Sequence, residues 1–193
     1  MATTTATATA RALFGGAITC QLTPDDDWRD VSDIRQVPDH QECWQDIEGR
    51  LLVVEILDRQ SNVTDEQAAA YFFQDLAEAN GMKAPDLQFI SQSELMNLAG
   101  AGLPDSAKVC FGMGYQKVSL GKEHDIAGNP RTQQVQSIRV ELCAIRLPSV
   151  GTELLVTLSS PSNENLQEII SQPTEVFARI LGSWKIEDWT LFG

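Results

Sequence analysis

The apolar positions of this chain fall mainly in short runs and two-residue alternations, which are typical of β-strands. Residues 51–57 are apolar except for one Glu and predict a buried strand. In residues 109–115, bulky side chains alternate with Cys110, Gly112 and Gly114. This pattern predicts a strand with one bulky and one bare face, and the bare face favours close approach by a helix. Further short strands are predicted at Ile18–Leu22 and 87–90.

Two longer strands are predicted near the C-terminal end, at residues 138–147 and 153–159. The link between them is short and contains Pro148 and Gly151, so the two strands should form an antiparallel hairpin. The apolar alternation changes phase between Leu142 and Cys143, which predicts a β-bulge at that point.

Helical periodicity is clearest after Thr64, which precedes apolar residues spaced by three and four positions as far as Gly81. Thr64 and Gln67 have the spacing of a capping box. Residues 163–171 and 174–184 also predict helix, interrupted at Pro173. Helices interspersed among sequential strands indicate an α+β fold with an antiparallel sheet.

The first residues have a different composition from the rest of the chain. Residues 1–11 are almost entirely Ala and Thr, with no basic segment followed by an apolar segment as in a secretory signal. We therefore expect a disordered tail over 1–11 and a single domain over 12–193.

The charge of the chain is strongly and unevenly negative. Its 193 residues carry a formal charge of −13, and residues 24–48 contain nine carboxylates against two arginines, which is about half of that charge. Nucleic acids and anionic membranes need a basic surface, so we expect neither as a partner.

Residue types for catalysis or metal binding are sparse. The four cysteines form no C-x-x-C pair, and His40, three residues before Cys43, gives the nearest approach to a metal-ligand pair. The pairs Gly100-x-Gly102 and Gly112-x-Gly114 lack the further glycines and the Lys of a phosphate-binding loop. We therefore expect no metal, no cofactor and no catalytic chemistry, with reduced structural thiols.

The acidic segment has two interpretations. It is either a solvated face that aids solubility or an electrostatic docking surface for a basic partner. Within it, Pro38 favours a turn after Val37. A turn entering a strand would allow Asp39 and Glu42 to converge on one cation.

The chain contains several short motifs that together are typical of one protein family. The most specific is Val-Pro-Asp-x-Gln-Glu at residues 37–42. The others, in the family's order, are LFGGA at 13–17, DVSDIRQ at 30–36, LVVEIL at 52–57, AAAYFFQD at 68–75, AIRLP at 144–148, TELL at 152–155 and LFG at 191–193. By these motifs the chain resembles the Mog-one family of Ran GTPase-binding nuclear import factors. Residues 81–108 match that family little, and Cys43 replaces a usual aliphatic residue.

The resemblance implies a fold shared with PsbP-like proteins, a curved antiparallel β-sheet of about six strands with helices on both sides. It also implies a non-enzymatic monomer that binds Ran, at a basic surface near the nucleotide site, and promotes guanine-nucleotide release. It would support nuclear import, in nucleus and cytoplasm. The family's acidic pair corresponds to Asp39 and Glu42, with Asp30 and Asp33 as neighbours. The alternative is a PsbP-like luminal assembly protein of a photosynthetic membrane.

Overall fold

A computed structural model describes residues 9–23, 27–82, 87–93, 98, 100–120, 134–162 and 172–193. Ten strands and two α-helices lie in these ranges. They are β1 (Thr9–Leu13), β2 (Ile18–Leu22), β3 (Arg29–Asp30), β4 (Gln41–Gln45), β5 (Leu51–Asp58), α1 (Asp65–Ala79), β6 (Leu87–Ser93), β7 (Lys108–Leu120), β8 (Gln134–Leu147), β9 (Thr152–Ser162), α2 (Glu175–Gly182) and β10 (Lys185–Ile186). Short 3-10 turns occupy Phe14–Gly16, Val31–Asp33, Pro148–Val150 and Trp189–Phe192.

The main sheet has seven strands in the order β3-β4-β5-β9-β8-β7-β6, and all neighbours are antiparallel. One of the seven, β3, is only two residues long. The predicted α+β fold with an antiparallel sheet of about six strands is therefore confirmed.

The predicted hairpin is confirmed, whereas the predicted bulge is wrong. Strands β8 and β9 pair in one continuous register from Ser137 opposite Ser162 to Leu147 opposite Thr152. Residues 139–147 are all buried because both faces of β8 are covered. The phase change therefore reflects a strand that is buried on both faces, with its apolar residues interrupted by Arg139 and Glu141 on one face and by Arg146 on the other.

Helix α1 covers one face of the sheet, above the bare side of β7. A Cβ atom added to Gly112 would lie 2.8 Å from the Cβ of Ala69 and 2.9 Å from the ring of Phe89. The close approach of a helix predicted from the small residues of β7 is thus confirmed. Thr64 is the N-cap residue of α1, but its hydroxyl contacts the Gln67 side chain at 3.4 Å and caps no backbone amide.

The opposite face is covered by α2 and a second sheet of three strands, β1-β2-β10. This sheet corrects the expected tail, because residues 9–11 pair with β2, beginning with Thr9 opposite Leu22. Ala and Thr give no amphipathic signal, yet their backbone groups pair as well as any others. Residues 1–8 lie outside the described ranges, as do the predicted helix at 163–171 and the predicted loop at 121–132.

A buried arginine joins each helix to the sheet. Arg146 donates to Asp65 at the start of α1 (2.7 Å), to the Gln60 carbonyl (2.8 Å) and to Glu153 (3.1 Å). On the other face, Arg139 donates to Glu141 (3.2 Å) and to the Gln172 carbonyl (2.7 Å), just before α2.

Glu141 is itself fully buried and binds Thr174, the residue immediately before α2. It accepts the Thr174 amide at 2.6 Å and the Thr174 hydroxyl at 2.8 Å, and that hydroxyl accepts the Phe177 amide. The Arg139–Glu141 pair therefore fixes where α2 begins.

Candidate functional site

Two distant motifs of the sequence meet at Glu42. This residue lies in β4 on the same face as Trp44, which packs into the core beneath the three-stranded sheet. An oxygen of Glu42 accepts the backbone amide of Phe14 at 2.6 Å, across 28 residues of sequence. The segment at 37–42 and the segment at 13–17 therefore form one local structure.

The Phe14–Gly16 turn has an uncommon backbone conformation. The φ angles of Phe14, Gly15 and Gly16 are +49°, +65° and +100°. Positive φ is ordinary for glycine but rare for phenylalanine, so the hydrogen bond that the Phe14 amide donates to Glu42 holds a conformation that Phe14 seldom adopts. Gly15 is exposed, and Phe14 and Gly16 are half-buried.

The C-terminal segment reaches the other end of the same turn. The Ala17 carbonyl accepts the amides of Glu187 (2.8 Å) and Asp188 (3.1 Å). The hydroxyl of Thr19 donates to the Glu187 carboxylate at 3.2 Å. Three segments of the chain, around Phe14, Glu42 and Glu187, are therefore joined by hydrogen bonds.

Asp39 lies at the exposed tip of the turn that enters β4. The Gln41 amide donates to the Pro38 carbonyl at 2.9 Å, which closes this turn as the Pro38 signal predicts. Asp39 makes no hydrogen bond or ion pair with any residue that the structure describes. Its carboxylate is therefore accessible to another molecule, and its convergence with Glu42 on one cation stays a prediction.

The other two predicted site residues lie near the edge strand β3. Asp30 is half-buried and accepts the Ser32 amide at 2.8 Å, while Asp33 is exposed in the following 3-10 turn. Asp30 thus has a structural task in the free protein, as Glu42 does, and Asp33 resembles Asp39 in presenting its carboxylate to solvent.

Not every carboxylate of the acidic segment is solvated. Asp46 is buried in the turn between β4 and β5, where it accepts the amides of Glu48 (3.0 Å) and Arg50 (2.8 Å) and pairs with the Arg50 side chain. Asp27 pairs with Arg29 at 2.7 Å on the surface. Sequence composition alone could not separate these residues from Asp33 and Asp39.

Beside Asp30 and Asp33, the structure has an apolar surface that the sequence did not reveal. Ile34 is 80 % exposed and Ile47 is 65 % exposed. An open groove of about 630 Å³ lies next to Ile34, and its other lining residues are Arg11, Trp28, Arg29, Asp30, Asp33 and Trp44. An isolated isoleucine between charged residues gives no periodic signal, so only the fold shows its exposure.

The cysteines near this site have raised pKa values, and His40 has a carboxylate neighbour. Burial and, to a smaller extent, the nearby Glu42 carboxylate together raise the pKa of the Cys20 thiol to about 12. Burial also raises the pKa of Cys43, against an opposing hydrogen bond from Arg35. His40 lies 3.5 Å from Glu55. No group of three or more potential metal ligands occurs within the described ranges, where no helix is both long and apolar enough to cross a membrane.

Comparison with known proteins gives consistent matches over nearly the whole chain. The family model described as Ran-interacting Mog1 protein matches residues 11–161. The chain is 30 % identical to the Ran guanine nucleotide release factor of Bos taurus over 189 residues, covering 94 % of this chain and 95 % of that protein. The factor of Homo sapiens gives the same identity and coverage, and that of Danio rerio is 28 % identical.

Solved structures show the same fold. The Ran-binding protein Mog1p of Saccharomyces cerevisiae superposes with a TM-score of 0.69 at 18 % identity, covering 98 % of this chain and 100 % of that one. Cyanobacterial PsbP from Synechocystis superposes with a TM-score of 0.51 at 12 % identity, covering 94 % and 93 %. At these identities the likeness shows the fold alone, which the chain shares with Mog1p and more distantly with PsbP. The family match and the relatives at 30 % identity decide the assignment, and the chain belongs to the Ran-interacting Mog1 family.

Proposed function

We propose that this chain binds Ran and promotes release of its guanine nucleotide, without catalytic chemistry of its own, in support of nuclear protein import. The observation that carries the proposal is the junction of the two family motifs at Glu42, beside the exposed carboxylate of Asp39. The relatives named Ran guanine nucleotide release factor support it, because they match over nearly their full length. Action as a monomer in nucleus and cytoplasm is part of the proposal.

The docking surface consists of Asp39 and Glu42, with Asp30 and Asp33 as neighbours. Asp39 and Asp33 present exposed carboxylates, which suit a lysine or arginine near the nucleotide site of Ran. The uneven negative charge of residues 24–48 would also accelerate association with a basic surface.

Nucleotide release requires differential binding. A protein shifts an equilibrium only by its difference in affinity between two states, so this chain must bind nucleotide-free Ran more tightly than loaded Ran. Competition between an acidic side chain and the nucleotide phosphates for one basic side chain would supply that difference.

The direct test measures the affinity for Ran and the rate of guanine-nucleotide release from loaded Ran, with the wild-type chain and with Asp39→Lys. Asp39 makes no hydrogen bond or ion pair with the described residues, so its substitution should leave the fold intact while reversing the charge. We expect affinity to fall by about 30-fold or more, because loss of a desolvated charge pair costs about 2–5 kcal/mol.

The matched control is Asp75→Lys, which makes the same charge change at an exposed site of α1. This helix covers the face of the main sheet opposite the three-stranded sheet. This variant should release nucleotide at the wild-type rate. Equal losses for Asp39→Lys and Asp75→Lys would mean that only net charge matters. Absence of any release by the wild-type chain would reject the proposed function.

A further inference from the structure

The Phe14–Gly16 turn is restrained at both of its ends. At the first end Glu42 accepts the Phe14 amide at 2.6 Å, and at the second the Ala17 carbonyl accepts two amides from the C-terminal segment. Between these points Gly15 is exposed, and a Cβ atom added to Gly15 or Gly16 would meet nothing within 4 Å. The middle of the turn therefore faces open space with a bare backbone.

This conformation depends on its restraints. A phenylalanine at positive φ is uncommon, and such residues persist where the surroundings hold them. A hydrogen bond from an amide to an ionised carboxylate is shorter and stronger than one between neutral groups. Glu42 makes no other hydrogen bond or ion pair with the described residues, so the Phe14 amide is its one structural partner there.

We propose that Glu42 is a positioning residue and that the Phe14–Gly16 turn is itself a contact surface for the GTPase. In this arrangement the hydrogen bond that Glu42 accepts matters more for binding than its charge, and Asp39 supplies the charge contact. A bare glycine backbone allows a partner's main chain to approach closely. The inference rests on the proposed function and assigns different roles to two residues of the same docking surface.

Three variants separate the hydrogen bond from the charge. Glu42→Gln keeps a side-chain oxygen that can accept the Phe14 amide and removes the charge. Glu42→Ala removes both. Gly16→Ala keeps the Glu42 charge but places a side chain at φ +100°, which disfavours the observed turn although space is open there.

The experiment measures the affinity for Ran and the nucleotide-release rate of each variant, together with amide hydrogen exchange of the turn and far-ultraviolet circular dichroism. We expect Glu42→Gln to bind within about threefold of wild type, and Glu42→Ala and Gly16→Ala to bind at least about tenfold more weakly. Exchange at Phe14 should accelerate in Glu42→Ala and stay slow in Glu42→Gln, a readout that a pure charge contact would not move.

The outcomes are decisive in each direction. If the affinity of Glu42→Gln lies nearer, on a logarithmic scale, to that of Glu42→Ala than to wild type, the charge of Glu42 dominates and the inference is wrong. Wild-type affinity of Glu42→Ala or of Gly16→Ala also overturns it. Both results differ from failure of the proposed function, in which the wild-type chain itself neither binds Ran nor releases nucleotide.

Discussion

Glu42 and Glu141 do similar structural work in very different surroundings. Each accepts a backbone amide at 2.6 Å from a distant segment, Phe14 for Glu42 and Thr174 for Glu141. Glu141 is 0 % exposed and pairs with Arg139, whereas Glu42 is half-buried and has no basic partner among the residues that the structure describes. One carboxylate is neutralised within the fold, and the other holds the backbone while its charge stays near the surface.

The difference shows how burial decides whether the charge of a structural carboxylate is available to another molecule. A buried carboxylate without a cation would be unfavourable, so Glu141 requires Arg139 and its charge is unavailable to another molecule. Glu42 remains near water and needs no internal cation. The same residue type can therefore serve stability alone at one site and, as we propose for Glu42, both backbone geometry and recognition at another.

The strongest test of this contrast is Glu141→Ala against Glu42→Ala. We expect Glu141→Ala to lower the free energy of unfolding by about 3–5 kcal/mol, because it leaves Arg139 buried without its carboxylate. Glu42→Ala should cost about 1 kcal/mol, since water can reach the Phe14 amide. Urea unfolding monitored by tryptophan fluorescence measures both, and equal losses would remove the distinction.

A packing variant tests whether a loss of stability alone changes nucleotide release, because it lowers stability without altering either carboxylate. Gly112→Val would bring its side chain to within 2.8 Å of Ala69 and 2.9 Å of Phe89 on the α1 face. We expect a loss of about 1–3 kcal/mol from overpacking. Nucleotide release, measured well below the unfolding temperature, should stay at the wild-type rate, and a parallel loss of release would show that stability and binding are not separable here.

The smallest expected effect concerns Cys20, which lies near Glu42. Its pKa is raised from 9.0 to about 12, so above pH 9 the folded thiol keeps a proton that the unfolded thiol releases. Stability should therefore fall as pH rises above 9, by up to about 1.4 kcal/mol per pH unit for this thiol.

The measurement is the urea midpoint at pH 8 and at pH 10. The matched variant Cys20→Ala should show a shallower decline than wild type. Glu42→Gln should leave the decline over this range nearly unchanged, because burial is the larger cause of the raised pKa and keeps it above pH 10 without the Glu42 charge. An identical decline in wild type and Cys20→Ala would refute the assignment to this thiol.

Local patterns predicted a large part of the fold. The helix after Thr64, the hairpin around Pro148–Val150 and the bare face of β7 were all readable, because each depends on spacing within one segment. The two errors, the disordered tail and the β-bulge, share one cause. Strand β1 has no hydrophobic pattern and Glu141 interrupts the apolar pattern of β8, so neighbouring residues gave no signal of their tertiary partners.

The candidate site was predictable only as a set of residues. The motif at 37–42 drew attention to Asp39 and Glu42, but nothing in it indicates that Glu42 accepts the Phe14 amide 28 residues earlier. The exposure of Ile34 depends likewise on how the segment around β3 packs, which no local spacing specifies.

The sequence by itself determined the secondary structure of most segments, the family and the concentration of negative charge in residues 24–48. Only the tertiary structure decided the task of each carboxylate: Asp46 and Glu141 are buried with arginines, Glu42 holds a strained turn, and Asp39 is exposed. The physical reason is that helix and strand periodicity arises between residues near in sequence. The environment of a charge is set by groups that reach it from distant segments.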